Sequence, residues 1–167
     1  MFQEAIAQYL KQNHYESIQL KSVLFDMDGV LFDSMPYHAE AWHKTMKAHG
    51  LNLSREEAYL HEGRTGAGTI NIVCQRQLGR DATQEEIESI YLEKSIEFNK
   101  HPQAERMPGA WELLQKIKAE GIIPTVVTGS GQASLLDRLE HNFPGMFRQE
   151  LMVTAFDVKY GKPNPEP

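Results

Sequence analysis

At 167 residues, with 41% hydrophobic and 24% charged side chains, the chain has the make-up of one folded domain or a small domain carrying an insertion. Its net charge of −6 and pI near 5.6 argue against binding nucleic acid or an anionic membrane, since both need clustered positive charge. The apolar runs are too short to cross a bilayer, the N-terminus lacks a signal peptide's continuous apolar core, and the lone Cys74 permits no internal disulfide; together these predict a cytoplasmic protein.

Residues 2–13 read as a short amphipathic helix with Phe2, Ile6, Tyr9 and Leu10 on one side, expected to pack on the domain. A buried-strand run starts at Ser22–Phe25 and ends in Asp26-Met27-Asp28-Gly29. From Pro36 the period changes: Tyr37–His49 reads as a helix stopped by Gly50. Ser54 with Glu57, and Thr83 with Glu86, fit capping boxes opening two further helices. Between them lies a glycine-rich polar loop, Glu62–Gly68, and residues 36 to about 104 contain no convincing strand.

After Met107-Pro108-Gly109, a helix over Ala110–Glu120 is closed by Gly121. The β-branched run Ile122–Thr128 predicts a strand that ends in Thr128-Gly129-Ser130-Gly131. Gln132–His141 reads as helix, Leu151–Ala155 as a third strand, and Gly161-Lys162-Pro163-Asn164-Pro165 as a rigid loop. Strand–helix alternation predicts an α/β fold with a Rossmann-like parallel sheet, interrupted after its first strand by an inserted helical cap. The expected division is an N-terminal extension over 1–21, a core from 22–35 and 105–167, and a cap over 36–104. Prolines at both junctions, 34–36 and 104–108, suggest stiff hinges through which cap opening gates turnover.

Three strand-end features carry chemistry. Residues i and i+2 of a strand face the same way, so Asp26 and Asp28 converge where open α/β sheets bind ligands. One carboxylate can attack phosphorus while the other handles protons, and the pair attracts Mg²⁺. Thr128 can donate its hydroxyl to a phosphoryl oxygen, with the backbone of Gly129 and Ser130 alongside. Lys162 offsets the negative charge gathered between carboxylates and phosphate.

Phe25-Asp26-Met27-Asp28-Gly29-Val30-Leu31-Phe32-Asp33-Ser34, Val126-Val127-Thr128-Gly129-Ser130 and Gly161-Lys162-Pro163 resemble the first three motifs of the haloacid dehalogenase (HAD) superfamily. Tyr37-His38, Trp42 and Met107-Pro108-Gly109 resemble its β-phosphoglucomutase-like branch with a helical cap. The resemblance covers the chain from about Ser22 onward. It implies Asp26 as nucleophile, Asp28 as acid/base, and Mg²⁺ held by the Asp26 carboxylate and the Asp28 carbonyl. The family's fourth motif, an acidic pair, would follow Pro167. Its strand would lie beside the first one, which is otherwise expected to form an unpaired edge.

Cap residues bear on substrate. By resemblance, His38 contacts and positions Asp28, Arg64 grips a second phosphate, and Lys94 reaches the substrate phosphate. Glu62 beside that loop would repel a bare sugar phosphate, but makes sense as a further Mg²⁺ ligand bridging to a highly charged substrate such as pyrophosphate. The leading expectation is a Mg²⁺-dependent phosphohydrolase acting on a small phosphorylated metabolite or pyrophosphate. The alternatives are a phosphosugar mutase using the same nucleophile and a non-catalytic binding protein on this fold. Dehalogenation ranks below these because Asp28 is present.

Overall fold

The structure, a computed structural model, describes residues 2–131 and 135–167. Two parallel strands, β1 (Ser22–Phe25) and β2 (Ile123–Val126), pair in the register Ser22↔Ile123 through Phe25↔Val126. Between them in sequence come α2 (Met35–Ala48), α3 (Arg55–Leu60), α4 (Gly66–Leu78), α5 (Gln84–Asn99) and α6 (Ala110–Ala119). A helix α1 (Phe2–Asn13) precedes β1, and α7 (Leu135–Asn142) follows β2. The architecture is α/β, as the alternation predicts.

The apolar residues sort into two clusters. Phe25, Met27, Leu31, Phe32, Leu114, Val126, Leu139 and Phe143 fill one, around the strands. Trp42, Met46, Leu53, Ile70, Val73 and Ile90 fill the other, between α2, α4 and α5. The two passages between them lie side by side: Asp33 N–H donates to Glu105 O, and Met107 N–H donates to Leu31 O, both at 2.9 Å. Among the described residues no helix is long and apolar enough to cross a membrane.

Four expectations change. First, Leu151–Ala155 is not a regular strand. Val153 donates to Val126 O and accepts from Thr128 N–H at 2.9 Å, forming an isolated parallel bridge to Val127, and Ala155 N–H donates to Ser130 O at 3.2 Å without continuing the ladder. Thr154 N–H and hydroxyl turn instead to Asp157 Oδ2, and that local turn competes with the ladder. Second, α1 does not pack its apolar side, since Ile6 is 48% and Tyr9 51% exposed. Third, the Ser54 box is half made. Ser54 Oγ accepts from Glu57 N–H, but the Glu57 carboxylate pairs with Arg76 and His61. The Thr83–Glu86 box is complete. Fourth, the glycine-rich loop ends early, because Thr65 Oγ1 caps Gly68 N–H and α4 begins at Gly66. The start of the helix predicted over 132–141 lies outside the described residues at 132–134.

Candidate active site

β1 delivers Asp26 and Asp28 at its carboxyl end, and Gly29 (φ +78°) turns the chain back so that its N–H donates to Phe32 O. Asp28 is buried. Its Oδ1 accepts from Ser34 Oγ at 2.5 Å and from Arg138 Nη2 at 3.3 Å. Ser34 occupies the N-cap position of α2 yet makes no side-chain cap bond, its short hydroxyl contact being to Asp28. His38 Nε2 lies 3.2 Å from the same oxygen but off the line of a hydrogen bond. Burial pushes the Asp28 carboxyl up, but His38, Ser34 and Arg138 together outweigh it and hold it well below the usual carboxylate range.

A cap lysine completes this line. Lys94 Nζ lies 2.8 Å from His38 Nδ1, at 5.3 Å from the Trp42 ring, 5.2 Å from Phe98 and 5.9 Å from Tyr91. Burial lowers the Lys94 ammonium to about 8. Burial, then the Lys94 charge, lowers His38 as well, so the imidazole is neutral. A neutral ring that accepts from Lys94 at Nδ1 carries its proton on Nε2, toward Asp28.

Asp26 faces Lys162, with Nζ–Oδ1 at 2.9 Å, and Lys162 also donates to Val127 O at 3.0 Å. That buried Oδ1 lacks an aligned hydrogen bond. Thr128 is buried at the end of β2, and its Oγ1 accepts from Ser130 N–H at 3.1 Å, which leaves the hydroxyl proton to donate elsewhere. Gly131 N–H donates to Tyr91 Oη at 3.3 Å, a direct cap–core bond.

A small cavity of ≈ 40 Å³ separates core from cap, with Asp28, His38, Glu62, Arg64, Lys94, Gly129 and Ser130 in its wall. Much of Glu62 is exposed, but its carboxyl end is partly withdrawn from water. That burial and the nearby Asp28 and Asp26 charges push it up to about 7. The cap loop reaches the core only because glycines admit it. A Cβ on Gly129 would meet Arg64 O at 2.5 Å and Gly63 O at 2.7 Å, and one on Gly161 would meet Thr65 N at 2.6 Å.

Thus Asp28, His38 and Lys94 meet one another, as do Asp26 and Lys162. Glu62, Arg64, Gly129 and Ser130 share the cavity wall with Asp28, His38 and Lys94, whereas Asp26, Thr128 and Lys162 do not line it. Among the described residues, no three of His, Cys, Asp and Glu close into a ready metal cluster. The donor set is nonetheless all oxygen, and the unaligned Asp26 Oδ1 and the crowded Glu62 carboxyl both suit a hard divalent cation. Sequence reasoning missed Ser34, Tyr91 and Arg138. Ser34 stood within the first motif and Tyr91 three residues before Lys94, whereas Arg138 gave no signal.

The chain is an α/β protein with a carboxylate pair at a strand end, Lys162 facing Asp26, and a helical lid that adds a second lysine, Lys94. The model of the haloacid dehalogenase-like hydrolases matches residues 20–167, and the chain belongs to that family. A solved structure from Bacteroides vulgatus, carrying the provisional name beta-phosphoglucomutase, is 72% identical with a TM-score of 0.94, covering 99% of this chain and 67% of that one. Hexitol phosphatase A of Escherichia coli (strain K12) is 32% identical over 89% of this chain, and the pyrophosphatase PpaX of Oceanobacillus iheyensis is 25% identical over 90%. The chain spans 66% of the length of each of these two relatives.

Proposed function

We propose that the protein carrying this chain is a Mg²⁺-dependent phosphohydrolase that works through an aspartyl phosphate, with inorganic pyrophosphate as the favoured substrate. Glu62 in the wall of the cap–core cavity, beside Arg64 and Lys94, carries this reading: a carboxylate there repels a bare sugar phosphate and suits a highly charged, metal-neutralised substrate. Residues 36–104 act as the cap that closes the cavity.

Asp26 is the nucleophile, attacking phosphorus in line. Lys162 steadies the attacking carboxylate and the phosphoryl oxygens, and Thr128 donates its hydroxyl to one of them. Asp28 is the acid/base, taking a proton from the water that hydrolyses the intermediate. Inorganic phosphate leaves without needing a proton, whereas a sugar alkoxide needs one. Arg64 and Lys94 hold the departing phosphate. Asp26, the Asp28 carbonyl and Glu62 would hold Mg²⁺, which supplies charge neutralisation between the carboxylates and the phosphoryl group.

A mutase reading is favoured by the two cap cations, Arg64 and Lys94, and by the name of the Bacteroides vulgatus neighbour. The test measures phosphate release with Mg²⁺ from pyrophosphate and from β-glucose 1-phosphate in parallel, with Asp26→Asn as control. Release from pyrophosphate that vanishes in the control supports the proposal. Conversion of the sugar phosphate to its 6-phosphate without release establishes the mutase.

A further inference from the structure

Arg138 projects from α7, 110 residues along the chain from Asp28, yet its Nη2 donates to Asp28 Oδ1 at 3.3 Å and lies 3.5 Å from Met27 Sδ. Its guanidinium carbon sits 4.4 Å from the Phe32 ring centroid. The side chain is 13% exposed, its Nε is buried without a partner, and Asp28 is its ion-pair partner among the described residues. Burying a guanidinium is costly unless a carboxylate answers it. Packing over Phe32 asks only for an apolar stem, and the neighbouring Leu139 already anchors α7 in the core. The charge of Arg138 is therefore unexplained by folding.

Asp28 explains it. Ser34 and Arg138 donate to Oδ1 from two elements, while His38 lies nearby unaligned. None of the described contacts uses Oδ2. We propose that Arg138 is a positioning residue for Asp28, which fixes Oδ1 together with Ser34 so that Oδ2 meets the reacting water. Ser34 alone is a single donor and leaves the carboxylate free to rotate about it. The planar guanidinium adds a second, charged donor from α7.

The surroundings of Arg138 make a specific test feasible. A cleft of ≈ 450 Å³, lined by Asn99, His101, Gln103, Asp137 and His141 together with Arg138, shares no lining residue with the cap–core cavity. A small cation in solution can enter there. The inference rests on Asp28 being the acid/base, and the controls separate the two ideas.

In the full-length, Mg²⁺-loaded protein, Arg138→Met keeps the stem over Phe32, and Arg138→Ala opens a path from the cleft to Asp28. Turnover is measured with pyrophosphate and with p-nitrophenyl phosphate, so that the outcome does not depend on which substrate is the natural one. Arg138→Met is expected to lower kcat roughly 30- to 100-fold with KM within about threefold. Methylguanidinium is expected to restore Arg138→Ala about tenfold, whereas the neutral planar urea restores nothing. Arg138→Met with kcat within twofold of the parent overturns the inference. So does a loss in a variant of unchanged melting temperature that methylguanidinium cannot relieve. Asp28→Asn as active as the parent would remove the acid/base reading instead. An inactive Asp28→Asn beside a fully active Arg138→Met removes only the role of Arg138.

Discussion

Gly129→Ala tests cap closure with one carbon atom. The backbone of Gly129 lies outside the left-handed region, so alanine brings no conformational strain of its own. The added Cβ would lie 2.5 Å from Arg64 O and 2.7 Å from Gly63 O, and both are backbone atoms that no rotamer change can move. Ordinary contact begins near 3.4 Å, so the cap loop must withdraw by about 0.9 Å. That withdrawal carries Glu62 and Arg64 away from the core. A misplacement near 1 Å costs on the order of 100-fold in rate, or about 2.7 kcal/mol of transition-state stabilisation. Opening the cap relieves the clash, so the two hydrophobic clusters stay intact and stability changes by less than about 1 kcal/mol, a melting shift under about 4 °C. The assay is kcat/KM for pyrophosphate alongside thermal unfolding. A kcat/KM within threefold of the parent would show that chemistry does not require the loop in this position. An equal collapse of melting temperature and activity would show that Gly129 is a packing residue.

Three further outcomes are expected. Glu62→Gln removes a carboxylate pushed up by burial and by Asp28 and Asp26; it raises the Mg²⁺ concentration for half-maximal pyrophosphate hydrolysis by about tenfold, measured by metal titration. Ser34→Ala removes a donor to Asp28 but no helix cap; kcat falls at least tenfold, while the stability loss seen by urea unfolding falls short of the ~1 kcal/mol expected of a lost cap. Lys94, lowered from 10.5 to about 8, gives opposite trends as it deprotonates. Pyrophosphate kcat/KM falls as pH rises through about 8. The unfolding free energy rises between about 8 and 10.5, because the unfolded chain still holds the proton there and the folded one does not. Lys94→Met abolishes both trends, read from pH-rate and pH-denaturation profiles.

How much was legible follows from the range of each interaction. The end of β1 was readable because an apolar run meeting two carboxylates and a glycine encodes strand, turn and site within a few residues. The Thr83 box was readable for the same reason, since its partners are three residues apart. The Ser54 box failed because Glu57 had better partners in Arg76 and His61. Arg76 sits 19 residues away, on another helix. The third strand failed because one strong local turn, Thr154 to Asp157, interrupted a ladder that Val153 joins only as an isolated bridge. Arg138 was invisible because an arginine in a helix is usually a solvated one, and nothing local reveals the buried carboxylate that it meets.

That contrast bears on how the site works. In the proposed reaction Asp26, Asp28, Thr128 and Lys162 act from the end of β1, from beyond β2 and from the Lys162 loop. The residues placed around Asp28 come from other elements. His38 and Lys94 reach Asp28 from the cap helices, Ser34 from the passage between core and cap, and Arg138 from the far side of the core. Asp28 therefore accepts from Ser34 and Arg138 and lies beside His38, which Lys94 holds from the cap. Movement of the cap would slide His38 and Lys94 while Arg138 stays with the core. Under the proposed mechanism, with Asp28 as acid/base, a cap opening of even 1 Å would shift the His38 beside it as well as the room for substrate.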